Sequence, residues 1–365
     1  MPLTLTDRKT DWNEIEERLY DLDYSGDEVA IILPKLQRFD ELRQEKNAIL
    51  LAHYYQIAPI QIIADHAGDS LALAMAARDT GDAEIIVSST VHFMAEMVKI
   101  LSPDKKVLLP ALDASCSIAE GMNGATVRRI REAFPGCSIV GYINSTAEVK
   151  AELDSTCTSA NAKEVAQRIE GEPVILIPDH YFAENILSQI HDDRRYLVYR
   201  RHEGDDLIMF DPKAGEEIPI PLEDSEPPML NKGTCVVHEE FTPAEVTRLK
   251  EQEGVELVLA HPEVNPEIAK MADMVGGTSK MIDYVKGVPA QKILYLTECD
   301  LAAPLREAYP DRKFVTSCKL CPYMKKNSLD LLVECLDLER YEIEVDPAVA
   351  EGSKRSLERM FELTR

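Results

Sequence analysis

Blocks of apolar and polar positions recur three times along the chain in one order. Each block opens on a short continuous apolar run, the pattern of a strand covered on both faces. The runs are AILLA at 48–52, SIVG at 138–141 and ELVLA at 256–260. Each ends in polar or aromatic residues: HYYQ from His53, YINS from Tyr142 and HPEV from His261. An acid then precedes a hydroxyl by five positions, in Asp65 and Ser70, Asp154 and Ser159, and Asp273 and Thr278. Helix-like segments follow (LALAMAARDTG, ANAKEVAQRIEG, SKMIDYVKG), each ending near a glycine, the usual C-terminal signal. A second apolar run comes next, at 84–89, 173–178 and 292–297.

The spacing makes this a repeat. From His53 to Ser70, from Tyr142 to Ser159 and from His261 to Thr278 is 17 residues in each case. Strand, site loop, helix, strand and helix in that order predict α/β units with parallel strands. Three related α/β domains around a pseudo-threefold centre are expected. The chain divides into a helical N-terminal extension (1–45), a first repeat (46–114), a second (115–234), a third (235–320) and a C-terminal segment (321–365) expected to pack back on the first repeat. Residues 190–232 alternate like a hairpin and then turn Pro- and acid-rich, and read as an insertion in the second repeat.

Eight cysteines become informative against this repeat. Cys116 lies 46 residues after Ser70, and Cys321 lies 43 after Thr278. Cys235 lies 76 after Ser159, an excess that the insertion absorbs. One thiol per repeat at a pseudo-threefold axis suits a single metal centre, and soft thiolates select zinc or an iron–sulfur cluster. The stretch SCKLCPYM holds both Cys318 and Cys321, and spacing alone leaves the choice between them open.

The strand ends carry the candidate acid/base groups, since parallel sheets place catalytic groups at the carboxyl ends of their strands. His53 and Tyr55, Tyr142 and Asn144, and His261 and Glu263 each stand two apart, which in an extended segment aims both side chains one way. Glu263 can serve as general base, and tyrosine and histidine can donate to developing oxyanions. Ser70, Ser159 and Thr278 fall where helix N-caps belong, so three helix N-termini are expected to favour carboxylate or phosphate.

Formal net charge is −25, from 40 basic against 65 acidic residues. Such a chain is a poor binder of nucleic acid or of anionic membrane. No apolar run approaches the ~18–20 residues of a membrane span, and the start, MPLTLTDRKTDWNEIEERL, lacks a secretory pattern. A cytoplasmic protein is expected. An anionic substrate would need positive potential built locally.

AHYYQ, GDSLALA, VHFMAEMVKIL, YINS, CTSANA, AHPEV, GGTSKM and CPYMKKN, in this order across 50–327, resemble quinolinate synthase. The resemblance implies three α/β/α sandwich domains, each with a short, mainly parallel sheet, around a central active site. It implies condensation of iminoaspartate with dihydroxyacetone phosphate to quinolinate, with loss of water and phosphate, in de novo NAD biosynthesis. It also implies a [4Fe–4S] cluster with one open iron acting as Lewis acid, held by Cys116, Cys235 and Cys321, the cysteine before proline being the ligand. Catalytic roles carry over to Glu263, Tyr55 and His261. Substrate binding carries over to His53, Ser70, Tyr142, Asn144, Ser159, His238 and Thr278. Iminoaspartate is unstable in water, so handover from an aspartate-oxidising enzyme is expected.

The chain departs from the family pattern at Gly277, where a serine is usual, and in the long leader and the insertion. Cys318 is left as a neighbour able to form a disulfide with Cys321. Two other readings stand beside the synthase: a zinc- or mononuclear-metal-dependent lyase, and a redox or metal sensor switching through Cys318 and Cys321.

Overall fold

The structure, a computed structural model, describes residues 10–221 and 233–365. The Pro- and acid-rich part of the insertion and the first nine residues lie outside them. The described residues form two compact units: 10–115, 298–312 and 320–345 in one, and 116–221, 233–297, 313–319 and 346–365 in the other.

The first unit is built on a four-stranded parallel sheet. Its strands are β1 (Ala48–His53), β2 (His66–Gly68), β3 (Ile85–Ser89) and β4 (Lys106–Leu108), in the order β2-β1-β3-β4. All six residues of β1 and all five of β3 are buried, as continuous apolar runs demand of strands covered on both faces. The helix Gly26–Glu45 starts at a Ser25/Glu28 capping box. Its Leu36 and Phe39 join Leu50 and Leu332 in one buried cluster, and Leu332 comes from the helix Leu329–Leu338.

The second unit holds two sheets. One contains β5 (Ser138–Tyr142), β6 (Ser155–Cys157), β7 (Val174–Ile177), β8 (Tyr196–Glu203), β9 (Asp206–Asp211) and β10 (Glu216–Pro221), in the order β6-β5-β7-β8-β9-β10. The other contains β11 (Leu257–Ala260), β12 (Met274–Val275), β13 (Lys292–Leu296) and β14 (Lys313–Val315), in the order β12-β11-β13-β14, all parallel. The first four strands of each sheet therefore share one topology. Three mainly parallel sheets make this an α/β fold, as the repeat predicts.

The repeated acid has a structural task. Asp65, Asp154 and Asp273 each accept the backbone N–H of a residue 15 positions earlier: Leu50 at 2.7 Å, Ile139 at 2.7 Å and Val258 at 2.8 Å. Each also returns its own N–H to that residue's carbonyl, at 2.9, 3.1 and 2.9 Å. The same clamp closes the loop after the first strand of every repeat, and it fixes where the following hydroxyl sits.

Two expectations need correction. The fourth strand of the middle repeat falls inside the stretch read as an insertion. It is β8, the start of the supposed insertion, which pairs parallel to β7. The added part is β9 and β10, which extend the sheet antiparallel. The C-terminal segment also divides. The helix Leu329–Leu338 packs in the first unit, but the last helix, Pro347–Leu363, packs on Ala147–Ala151 and β6 in the second. The close approach is visible at Gly352, where an added Cβ would fall 2.9 Å from that of Ala151.

Candidate active site

Four side chains named from the sequence meet within the second unit. The Tyr142 hydroxyl, at the end of β5, donates to Glu263 Oε1 at 2.6 Å. Glu263 Oε2 lies 2.8 Å from His238 Nδ1, and Glu263 Oε1 lies 3.8 Å from His261 Nδ1. The two imidazoles stack at 4.7 Å. His238 Nε2 shares a hydrogen bond of 2.9 Å with the Thr297 hydroxyl. All four side chains are at least nine-tenths buried. Burial alone would raise the Glu263 carboxyl, but the imidazoles of His261 and His238 and the Tyr142 hydroxyl hold it well below the usual range. These contacts favour the ionised form of Glu263 against the cost of its burial.

The pairs two apart do not sit in extended backbone, as expected from their spacing. Each strand ends in a tight turn instead. His53 Nδ1 accepts the N–H of Tyr55 at 3.0 Å, and His261 Nδ1 accepts that of Glu263 at 3.4 Å. The rings of His53 and Tyr55 meet edge-on at 4.5 Å in the first unit. Asn144 follows β5 in the corresponding turn and is half-buried.

The three hydroxyls are not N-caps either. Asp69 caps the helix Ser70–Ala77, accepting from Ala72 N–H at 2.9 Å. Asn161 precedes Ala162–Arg168, and Gly277 precedes Thr278–Lys286. Ser70 and Thr278 are first helical residues, and Ser159 lies in the turn ahead of its helix. Their hydroxyls are thus not spent on cap bonds.

The three cysteines Cys116, Cys235 and Cys321 occupy one local structure. Each carbonyl accepts the N–H four residues on, from Glu120, Glu239 and Lys325, at 3.0, 3.0 and 3.1 Å. Each thiol stands three residues before a 3-10 turn, at Ala119–Gly121, His238–Glu240 and Met324–Lys326. Each stands seven before the N-cap of the next helix, at Asn123, Thr242 and Ser328. None of the three is in a disulfide. Two of these loops lie against each other in the second unit. Ser117 Oγ donates to Thr234 O at 2.8 Å and accepts Val236 N–H at 3.1 Å, bracketing Cys235. Gly121 meets Gly233 so closely that a Cβ on Gly121 would fall 2.5 Å from the Gly233 Cα. Gly233 also has a left-handed φ of +71°.

Cys318 lacks this turn. It has a φ of +48° and is in a disulfide, as is Cys299, while Cys321 is a free thiol. The Cys321 backbone is pinned elsewhere, its N–H held by Glu298 Oε1 at 3.1 Å. Three soft thiols in equivalent turns are the donor chemistry that zinc or an iron–sulfur cluster selects. A smaller set is also present: the ligand atoms of Cys235, His238 and Glu263 lie within 4.8 Å of one another.

The family model described as "Quinolinate synthetase A protein" matches residues 37–362. The chain belongs to the quinolinate synthase family. It is similar to "Quinolinate synthase" of Sinorhizobium fredii, 38% identical over 92% of this chain and 84% of that protein. It is similar also to "Quinolinate synthase" of Agrobacterium fabrum, 34% identical over 99% and 97%. "Quinolinate synthase 1" of Mesorhizobium japonicum is 38% identical over 92% and 93%. No helix among the described residues is long and apolar enough to cross a membrane.

Within this quinolinate synthase framework the sequence reading overlooked the helix His180–Leu187. Asp179 caps it, accepting Phe182 N–H at 3.1 Å through Oδ1, while Oδ2 has no partner although the residue is 1% exposed. Burial and the nearby charge of Glu263 push the Asp179 carboxyl well up. Phe182 stacks on Tyr142 at 3.9 Å. Asn185 donates to the carbonyls of Pro262 and Val264, at 2.8 and 2.7 Å, so one amide grips both sides of Glu263. In the first unit Glu298 is buried, and that burial pushes its carboxyl up to about 7 against the pull of Lys325. Lys325 Nζ lies 2.6 Å from Glu298 and also donates to the Tyr55 carbonyl. Asp179 and Glu298 each directly follow the second apolar run of a repeat, a signal present in the sequence.

Gly277 also has a physical reason. A Cβ at this position would fall 2.3 Å from Ser159 Oγ. The Ser159 hydroxyl fills the space that a side chain at 277 would need.

Proposed function

We propose that this chain condenses iminoaspartate with dihydroxyacetone phosphate to form quinolinate, releasing phosphate and water, in NAD biosynthesis. The observation that carries this reading is the buried Glu263 carboxylate, clasped by Tyr142, His238 and His261, in a chain of this family. Cys116, Cys235 and Cys321, in their three equivalent turns, would hold a [4Fe–4S] cluster, and its open iron would supply a Lewis acid for a substrate oxygen.

The protein's own groups have separable tasks in this reading. Glu263 removes the carbon-bound proton that must leave before the new ring closes. Tyr142 keeps that carboxylate aimed, and Asn185 fixes its backbone. His261 and Tyr55 supply protons to departing oxygens. His53, Asn144, His238 and the hydroxyls of Ser70, Ser159 and Thr278 bind the carboxylates and the phosphate. The helices Ser70–Ala77 and Thr278–Lys286 add the positive ends of their dipoles.

The test is quinolinate formation by anaerobically purified protein, with iminoaspartate generated in place from aspartate by an oxidising enzyme and dihydroxyacetone phosphate added. Quinolinate dependent on both substrates is expected. Its absence from iron-replete protein would overturn the reading. A second reading is a mononuclear metal on Cys235, His238 and Glu263. In it the metal would take His238 Nδ1, since Nε2 shares a hydrogen bond with the Thr297 hydroxyl. It predicts a colourless, sulfide-free protein with one metal ion.

A further inference from the structure

A cleft of about 380 Å³ opens within the second unit, between the two helices that follow Ser159 and Gly277. Its lining includes Ser159, Pro262 and Gly276. Pro262 stands between His261 and Glu263 in the chain, and Gly276 precedes Gly277, which meets Ser159, so the lining adjoins residues of the candidate site. Lys163 and Lys280, both exposed, line the cleft from the two helices. The Lys280 stem lies against Gly276, where an added Cβ would come within 2.8 Å of its Cδ.

The charges on this lining do not cancel. Glu164 is the lining's one carboxylate, and Arg168 pairs with it at 2.6 Å. Among the described residues Lys163 and Lys280 make no ion pair, which leaves the cleft lining positive in a chain of net charge −25. The protein as a whole repels anions, and a low-dielectric cleft of the opposite sign focuses them. We infer that this cleft is an entrance selective for small carboxylate- and phosphate-bearing anions, with Lys163 and Lys280 as its steering charges. The inference rests on the substrates proposed above.

Steering acts on capture and is screened by salt, while chemistry at Glu263 is not. The experiment compares wild type with a K163Q/K280Q variant, measuring kcat and kcat/KM for dihydroxyacetone phosphate across a KCl series. Both lysines are exposed, so the variant should fold as the wild type does. At low salt the variant's kcat/KM is expected to fall about 3–10-fold with kcat within about twofold, within the range known for steering, and the gap should close toward ~0.5 M salt. Equal kcat/KM and equal salt slopes, or a loss confined to kcat, would overturn the entrance. If the wild type makes no quinolinate, the substrate assignment fails separately. Line broadening of inorganic phosphate by ³¹P NMR then decides on the cleft: broadening by wild type and not by the variant upholds it, and equal broadening rejects it.

Discussion

The Tyr142 hydroxyl donates to Glu263 Oε1 across 2.6 Å, joining the end of β5 to the turn after β11. A hydrogen bond to a buried charge contributes roughly 1.5–3 kcal/mol. Tyr142→Phe keeps the Phe182 stack and removes only the donor. It should lower kcat by about 10–100-fold, with an unchanged circular dichroism spectrum and iron content. Steady-state kinetics on the anaerobic protein checks this, and kcat within twofold of wild type would contradict it.

Glu263→Gln keeps the shape of the side chain and removes the base. Turnover should fall at least ~100-fold, the scale of general-base catalysis, while the visible spectrum of the purified protein stays as in wild type. Near-normal quinolinate formation would remove Glu263 from the role of base.

Asn185 acts one step further out. Its amide holds the carbonyls of Pro262 and Val264, so Asn185→Ala frees the turn that carries Glu263. Displacement of a catalytic group by ~1 Å can cost about 10²-fold in rate. A fall in kcat of about 10–100-fold is expected, and iron per chain should not change. If activity and iron fall in proportion, Asn185 supports the fold and does not position Glu263.

Gly277→Ala tests the contact with Ser159. The backbone there, φ −65°, suits any residue, so the cost is steric. A Cβ 2.3 Å from Ser159 Oγ should destabilise the protein by about 1–3 kcal/mol. Denaturant melts should show most of that loss disappearing in a Ser159→Gly background. Additive effects would mean that the two residues do not compete for space.

How far the sequence reached depends on whether a feature repeats. The 17-residue interval places His53, Tyr142 and His261 at the ends of β1, β5 and β11, because a covered strand needs a continuous apolar run and the run's end is visible. The 15-residue clamp of Asp65, Asp154 and Asp273 was visible only as an acid before a hydroxyl, since a side chain's bond to distant backbone leaves no pattern of its own. Asp179, Phe182 and Asn185 escaped notice because their partners Glu263, Tyr142 and the Pro262–Val264 turn lie 40 to 84 residues away in the chain. The local turn distinguishes Cys321 from Cys318, which equal spacing arguments could not do.

The most direct measurement is iron and acid-labile sulfide per chain, on anaerobically purified wild type and on single serine variants of the cysteines. The account predicts about four of each in wild type and in Cys318→Ser. It predicts near-complete loss in Cys116→Ser, Cys235→Ser and Cys321→Ser. A colourless wild type without sulfide, or a Cys321→Ser protein that keeps its full iron while Cys318→Ser loses it, would contradict the three-thiolate centre.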